Sequence, residues 1–187
     1  MGQFLKILST PIPDLIVAET SPVTDERGTF LRLYCEKELA PVIDSRRILQ
    51  VNHSKTAKVG AVRGMHFQYP PHSELKFVRC IKGKIWDVAI DLRAGSTTFL
   101  NWHAVQLTPS NNYMVAIPEG FAHGFQCLEA ESELLYLHTA LYNREAEGVI
   151  NYKEPCLNIT WPLPVTDLSP KDSQCEFLEH SYKGITL

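Results

Sequence analysis

Ile85-Trp86-Asp87-Val88-Ala89-Ile90-Asp91-Leu92 alternates from residue to residue in the way a β-strand does. Asp87 and Asp91 fall on one face, and the apolar face holds Trp86, Val88, Ile90 and Leu92. Turn residues rich in Gly, Pro and Asn separate further segments of this kind. These segments are residues 50–54, 75–81, 103–107, 113–117, 124–128 and 134–141. Short strands at such regular spacing predict an all-β sandwich or barrel.

Helical signals are few. Residues 36–42 predict one or two turns before or around Pro41, and residues 168–187 predict another short helix. Pro162, Pro164 and Pro170 predict a C-terminal tail that is extended and wraps around the barrel. The length of 187 residues is enough for one full hydrophobic core, so we expect a single domain over residues 1–187.

The composition is that of an ordinary soluble protein, with 44% hydrophobic and 21% charged residues. A net charge of −3 argues against a general nucleic-acid-binding protein, which would need a basic face. The five cysteines are scattered and never form C-x-x-C, which favours reduced thiols. Residues 1–6 lack the apolar core of a secretory signal, and no apolar run of about 18 residues could span a bilayer. We therefore expect a cytoplasmic protein without a membrane partner.

A group of cationic residues interrupts one strand-like stretch. Arg63, His66, Lys76 and Arg79 lie close together among residues that favour strands. A charge on a buried strand face is costly unless it has a partner, so this group predicts a pocket for an anionic ligand. The alternative is that the cations are solvated and His66 is a histidine of the core.

A second stretch, Pro118-Glu119-Gly120-Phe121-Ala122-His123-Gly124-Phe125, has the form P-x-G-x-x-H. It resembles the second signature of the cupin superfamily, in which a tight turn leads to a strand that presents a histidine to the barrel interior. Many cupins bind a metal, but the matching first region here offers only His66, because His72 lies beyond two prolines. Two histidines and a carboxylate are therefore poorly supplied, and we expect no metal and no cofactor.

Nearly the whole chain resembles one branch of that superfamily, the dTDP-4-dehydrorhamnose 3,5-epimerases. The landmarks in order are Asp25-x-Arg27-Gly28, Gln50-Val51-Asn52-x-Ser54, Arg63-Gly64-Met65-His66-Phe67-Gln68, Lys76-Phe77-Val78-Arg79, Gly83-x-x-x-Asp87-Val88, Asp91-Leu92-Arg93-x-x-Ser96, residues 118–125, Tyr136, Tyr142, Trp161-Pro162 and Leu168-Ser169-x-x-Asp172. The resemblance implies a double-stranded β-helix, the cupin or jelly-roll barrel. It also implies a cytoplasmic isomerase of deoxysugar and surface-polysaccharide synthesis, of the dTDP-rhamnose type.

The resemblance implies catalytic roles for four residues. His66 matches the family's base, and Asp172 matches the carboxylate that pairs with it, although Asp172 could instead be a helix N-cap. Lys76 matches the lysine beside the substrate carbonyl, and Tyr136 matches the acid on the opposite face. Inverting a carbon next to a ketone needs such a base, an oxyanion stabiliser and an acid.

The remaining implied residues bind a nucleotide-linked 4-keto-6-deoxyhexose. Tyr142 shares a strand face with Tyr136 by period-two counting, is too far along the strand to reach the same carbon, and matches the residue that stacks on the nucleotide. Asp87 could pair with Lys76. The full set of predicted substrate-binding residues is Arg27, Phe30, Arg32, Gln50, Asn52, Arg63, Asp87, His123, Tyr142 and Lys171. The resemblance also implies a homodimer in which N-terminal segments are exchanged.

One departure from the family opens an alternative for the nucleotide. The family usually has a glutamate where this chain has Arg32. Arginine only donates hydrogen bonds, and cytosine offers an acceptor where thymine offers a donor, so a CDP-linked substrate is a second hypothesis. Epimerisation at one carbon, a metal-dependent cupin enzyme and a non-catalytic sugar-nucleotide binder are further alternatives.

Overall fold

The structure is a computed structural model that describes residues 4–187. Residues 1–3, which belong to the segment expected to lack a secretory signal, lie outside the described part. Two antiparallel sheets form the body of the protein. The six-stranded sheet has the order β1 (Leu5–Ser9), β2 (Ile16–Thr20), β10 (Tyr113–Ile117), β7 (Lys76–Lys82), β12 (Ser132–His138) and β5 (Gln50–Thr56). The five-stranded sheet has the order β13 (Glu147–Val149), β6 (Val62–Gln68), β11 (Phe121–Cys127), β8 (Ile85–Asp91) and β9 (Trp102–Leu107).

The remaining elements are small. A separate hairpin is formed by β3 (Val23–Asp25) and β4 (Gly28–Phe30). The helices are α1 (Glu36–Ile43), α2 (Pro170–Gln174) and one 3₁₀ turn, Arg144–Ala146. The all-β prediction with a few short helices is therefore confirmed. No helix in residues 4–187 is both long and apolar enough to cross a membrane.

The alternation of strand β8 predicted a strand, but it did not predict that both faces of this strand are buried. Val88 and Ile90 point to the outer face, where residues of the C-terminal tail such as Leu157 and Ile185 bury them. The opposite face points to the interior between the sheets, and Asp87 and Asp91 are only 2% and 0% exposed there. A strand buried on both faces needs partners for every polar side chain on it.

The two sheets enclose one apolar cluster and each carries another on its outer side. The inner cluster includes Val78, Leu134 and Phe125. Helix α1 covers the outer face of the six-stranded sheet through Leu39 and Ile43. Since a fully buried aliphatic side chain contributes about 1.5–3 kcal/mol, these covers stabilise the sheets as well as shielding them.

The C-terminal tail runs along the outside of the five-stranded sheet and returns to the start of β6. The backbone N–H of Ile185 donates to Leu92 O at 2.7 Å, and that of Val62 donates to Asp167 O at 3.0 Å. The second contact places α2 beside β6. It thereby brings Asp172 next to a strand more than a hundred residues earlier in the sequence.

The predicted strand boundaries differ from the observed ones by a few residues. The predicted segment 134–141 ends at His138, because the chain bends at Thr139 and Ala140. Helix α1 includes Pro41 and extends to Ile43. Sequence reasoning did not identify β1, β2, β3, β4 or β13.

Candidate active site

A cavity of about 1110 Å³ is lined by side chains from both sheets. Strands β5, β7 and β12 supply one wall, and β6 and β11 supply the other. Predicted site residues on its lining are His66, Lys76, Tyr136, Asp172, Gln50, Asn52, Arg63, His123 and Tyr142. The cavity therefore collects nine residues from distant parts of the sequence.

His66 and Asp172 form the central pair of this cavity. His66 Nε2 lies 2.7 Å from Asp172 Oδ1, and the carboxylate is buried. Burial alone would raise the pKa of Asp172, but the hydrogen bond and the charge of His66 outweigh burial and lower it below its ordinary value. The carboxylate therefore stays ionised and can orient the imidazole.

A different residue caps the N-terminus of α2, so the Asp172 carboxylate is free to pair with His66. Ser169 Oγ accepts the backbone N–H of Asp172 at 3.1 Å, and Pro170 follows at the first helical position. Serine as N-cap followed by proline is a favoured helix start. The alternative in which Asp172 itself caps the helix is wrong, because the cap is Ser169.

A close approach of two glycines positions the strand that carries His66. Gly64 has a φ of +122°, and a Cβ added to it would lie 2.5 Å from Gly124 Cα. The register between β6 and β11 shifts at this point, and His123 lies opposite His66. Only residues without a side chain allow the two backbones to meet here.

We expect Gly64→Ala to be strongly destabilising. The alanine must adopt a positive φ, which costs about 1–3 kcal/mol, and its methyl group must also displace backbone atoms. The matched control is Gly95→Ala, where φ is +77° but no atom lies within 4 Å of the added Cβ. Urea unfolding should show a larger loss for Gly64→Ala by about 1–3 kcal/mol. Equal losses for the two variants would contradict the close-packing account.

Tyr136 belongs to the opposite sheet from His66. Its hydroxyl lies 3.2 Å from Ser54 Oγ, and its ring packs edge-on against His123 with 6.5 Å between ring centroids. Burial raises the pKa of the phenol well above its ordinary value. Tyr136 is therefore a protonated phenol at neutral pH, which is the form that can donate a proton.

Lys76 is buried and lies in the same wall as Tyr136. Its Nζ is 3.2 Å from Glu74 Oε1. Burial opposes ionisation of Glu74, but the charge of Lys76 and the hydrogen bond from His138 lower the pKa of Glu74 to about 2. The prediction that Asp87 pairs with Lys76 is wrong, since Glu74 occupies that place.

Asp87 instead pairs with His123. The two residues are buried, and Asp87 Oδ2 lies 2.8 Å from His123 Nε2. The pair follows from the register, because Asp87 and His123 lie near each other on the neighbouring strands β8 and β11. No group of three or more His, Cys, Asp or Glu residues within residues 4–187 could hold a metal ion.

The predicted cationic group is only partly assembled in the cavity. Arg63 lines it. Arg79 does not, because its guanidinium is buried elsewhere and donates to Thr20 Oγ1 at 3.0 Å and to Asn112 O at 3.1 Å. The prediction that Arg79 helps to form the anion-binding pocket is therefore wrong, and Arg79 has a structural role instead.

Five predicted substrate-binding residues do not line the chain's own cavity: Asp87, Lys171 and the three residues of the N-terminal part, Arg27, Phe30 and Arg32. Arg27 and Phe30 belong to the β3–β4 hairpin, where Phe30 is 69% exposed and Arg27 pairs with the neighbouring Asp25. Arg32 forms an ion pair with Glu38 and lies over the Phe4 ring, 4.5 Å from its centroid. Within one chain, none of these three side chains lines the cavity.

Tyr142 and Lys171 meet at Glu147, a residue at the edge of the cavity. The Tyr142 hydroxyl donates to Glu147 Oε2 at 2.8 Å, and Lys171 forms an ion pair with the same carboxylate. Tyr142 lies beyond the end of β12, so the expectation that it shares a strand face with Tyr136 is wrong. Lys171 itself is not among the lining residues.

Sequence reasoning missed Glu74, Ser54 and Glu147 as cavity residues. A period-two signal was available for two of them, since Glu74 lies two positions before Lys76 and Ser54 two positions after Asn52. Glu147 follows a loop and a 3₁₀ turn, so no sequence period connects it to the site.

The fold and the site together define a cupin-type barrel whose cavity is equipped for acid–base chemistry. Residues 9–180 match the family described as dTDP-4-dehydrorhamnose 3,5-epimerase. The chain belongs to this family and is an isomerase.

Individual relatives cover nearly the whole chain. The dTDP-4-dehydrorhamnose 3,5-epimerase of Shigella flexneri is 38% identical over 169 residues, which are 90% of this chain and 93% of that protein. A crystal structure of a dTDP-6-deoxy-D-glucose-3,5-epimerase from Legionella pneumophila, in complex with dTDP-4-keto-L-rhamnose, is 38% identical with a TM-score of 0.85 and covers 90% of this chain and 89% of that chain. The dTDP-4-dehydrorhamnose 3,5-epimerase of Bacillus anthracis, with TDP and PPi bound, is 32% identical with a TM-score of 0.89 and covers 93% of this chain and 99% of that chain.

Proposed function

We propose that this protein inverts C3 and C5 of a dTDP-linked 4-keto-6-deoxyglucose without a metal or other cofactor. The observation that carries the proposal is one cavity with the His66–Asp172 pair on one wall and Lys76 and Tyr136 on the other. These are the three parts that inversion next to a ketone requires: a base, an oxyanion stabiliser and an acid.

His66 acts as the base through Nδ1. Asp172 accepts the Nε2–H, which leaves the lone pair of Nδ1 available for the proton on the carbon next to the C4 ketone. The C–H electron pair moves to form the enolate, and the proton stays on the imidazole. The ionised Asp172 then stabilises the imidazolium that results.

Lys76 stabilises the negative charge that develops on the C4 oxygen. Its ammonium is buried, and a charge in a site shielded from water interacts more strongly than one in solution. Tyr136, on the other sheet from His66, gives its phenolic proton to the carbon from the opposite face. The two residues together complete the inversion.

The nucleotide occupies the outer part of the cavity. Arg63 supplies a positive charge for the diphosphate, and arginine suits bidentate phosphate contact. The exposed ring of Tyr142 supplies a surface on which the base can stack, and Gln50 and Asn52 supply polar contacts. The dTDP-sugar and TDP bound in the two crystal structures support thymidine as the nucleoside.

We expect the nucleotide preference not to depend on Arg32, because its guanidinium already pairs with Glu38 and lies over the Phe4 ring. Calorimetric titration of the wild-type protein with dTDP and CDP should show tighter dTDP binding. The variant Arg32→Glu should keep the same preference. A preference for CDP in the wild-type protein that reverses in Arg32→Glu would contradict this and establish the CDP hypothesis.

We also propose that the protein works as a homodimer in which each β3–β4 hairpin reaches the partner's cavity. Every residue from Ser21 to Phe30 is exposed in the single chain, including the apolar Val23 and Phe30. An exposed hairpin with apolar side chains is a typical surface for association. In such a dimer the hairpin brings Arg27 and Phe30 to the partner's cavity, whereas neither residue lines the cavity of its own chain.

A complementation experiment tests this arrangement. Arg27→Ala removes a hairpin contact, and His66→Asn removes the base, so each homodimer should be inactive or nearly so. If the hairpin acts in the partner's cavity, dimers re-formed from the mixed subunits contain one intact site. Mixing should therefore restore about a quarter of wild-type activity, as expected for random re-association into symmetric dimers. No recovery in mixtures shown by mass spectrometry to contain hybrid dimers would contradict the exchange.

A further inference from the structure

The proposed mechanism leaves unexplained a largely buried carboxylate beside Lys76. Glu74 uses both of its oxygens: Oε1 lies 3.2 Å from Lys76 Nζ, and Oε2 lies 2.8 Å from His138 Nδ1. All three side chains are between 8% and 14% exposed and line the cavity. His138 and Lys76 are also direct cross-strand neighbours on β12 and β7.

The hydrogen bonds around His138 have one consistent direction. Gln50 Nε2 donates to Asn52 Oδ1 at 3.1 Å, which directs Asn52 Nδ2 to His138 Nε2 at 3.3 Å. His138 Nε2 is then the acceptor, and its Nδ1–H donates to Glu74. The tautomer of His138 is thus assigned by its neighbours, with the proton on the nitrogen that faces Glu74.

His138 also contacts the proposed acid. Its ring stacks on that of Tyr136, with 5.9 Å between centroids and an angle of 17° between planes. Glu74 is therefore connected to both functional side chains of this wall, to Lys76 by an ion pair and to Tyr136 through the ring of His138.

We propose that Glu74 and His138 are positioning residues for the epimerase reaction: Glu74 keeps Lys76 charged and directed at the C4 oxygen, and His138 fixes the ring of Tyr136. The inference rests on the proposed function. A buried ammonium without an anionic partner is strongly disfavoured, and the lysine would release its proton instead. Lys76 with a neutral residue at position 74 would thus lose the charge that stabilises the enolate.

Other titratable groups line the same cavity as Lys76 or pair with a residue that does. From β12 these are His138 and Tyr136, from β6 Arg63 and His66 with its partner Asp172, and from β11 His123 with its partner Asp87. The β10 neighbour of Lys76 is the uncharged Ile117. Each of the two buried carboxylates Asp172 and Asp87 already pairs with a histidine, so Glu74 is the carboxylate in salt-bridge contact with Lys76 among the described residues.

The test compares Glu74→Gln with a matched control, Glu133→Gln. Glu133 also connects a lysine and a histidine, Lys82 and His53, but on the surface. We expect Glu74→Gln to lower kcat about tenfold or more at pH 7, less than the roughly 10²–10³-fold cost of removing an oxyanion donor outright. KM should stay within about threefold, because nucleotide contacts are unchanged. Glu133→Gln should match the wild type.

The pH profile separates positioning from a structural role. The loss in Glu74→Gln should grow as the pH rises, because unpaired Lys76 releases its proton at lower pH than in the wild type. Glu74→Asp, which keeps the charge, should restore most of the activity at high pH. A loss that is the same at every pH, or that Glu133→Gln shares, would overturn the inference.

A measurement without substrate keeps the two proposals distinguishable. In protein labelled with ¹³C-lysine, the Cε resonance of Lys76 should titrate at lower pH in Glu74→Gln than in the wild type, and an unchanged titration would overturn the inference. Wild-type turnover tests the proposed function by itself. An inactive wild-type protein would contradict that function, whereas an active one with an unaffected Glu74→Gln variant would contradict only the role of Glu74.

Discussion

Replacement of His66 by asparagine is expected to lower kcat by about 10³–10⁴-fold, at the upper end of what a general base contributes. Asparagine is similar in size and can still donate to Asp172, but it has no basic nitrogen. Since Asp172 holds Nε2 of the histidine, the lost function is that of Nδ1. The substrate should still bind, because the nucleotide contacts come from other residues.

Two comparisons make this result specific. The control His180→Asn changes an exposed histidine of the tail and should leave kcat unchanged. Asp172→Asn removes the carboxylate but keeps the imidazole, so we expect a loss no larger than that of His66→Asn, up to about 10⁴-fold, as when the aspartate of a Ser-His-Asp triad becomes asparagine. Steady-state kinetics with dTDP-4-keto-6-deoxyglucose measures all three. A His66→Asn enzyme within tenfold of the wild type would show that another residue is the base.

Replacement of Tyr136 by phenylalanine is expected to lower the formation of inverted product by about 10²–10⁴-fold, the range of a general acid. The phenol is held protonated by burial, and Ser54 is its hydrogen-bond partner. His66 is unchanged in this variant, so it should still remove the proton and return it to the same face. Solvent exchange without inversion is therefore expected to persist.

The matched control for Tyr136→Phe is Tyr34→Phe. Tyr34 is partly buried, and burial raises the pKa of its phenol, but it packs on Phe77 beneath the outer face of the six-stranded sheet. Loss of this hydroxyl should leave both exchange and inversion unchanged. Product formation in Tyr136→Phe within about threefold of the wild type would contradict its role as the acid.

Alternation of apolar residues together with turn signals predicted most strands of the two sheets. β8 and β10 were located almost to the residue, because their side chains alternate and turn residues flank them. The N-terminal strands β1 and β2 were missed. Leu5–Ser9 and Ile16–Thr20 do not alternate cleanly between apolar and polar residues, and the pairing of β1 with β2 and of β2 with β10 depends on tertiary contacts.

The site was predicted from family resemblance more than from residue chemistry. Nothing in local pattern connects His66 with Asp172, which are more than a hundred residues apart and meet because the tail returns to β6. Asp87 shows the limit of prediction from sequence: it was expected to pair with Lys76, but its partner is His123, and this pairing depends on the register between β8 and β11. The burial of Arg79 depends likewise on Asn112, in the turn before β10.

The most direct test of the account is solvent exchange in D2O followed by NMR. The wild-type protein is incubated with dTDP-4-keto-6-deoxyglucose, and the signals of the protons at C3 and C5 are followed over time. We expect deuterium to enter at both carbons in the wild type and at neither in His66→Asn. Deuterium at one carbon alone would make the protein a single-site epimerase, and exchange that persists in His66→Asn would contradict the assignment of His66 as the base.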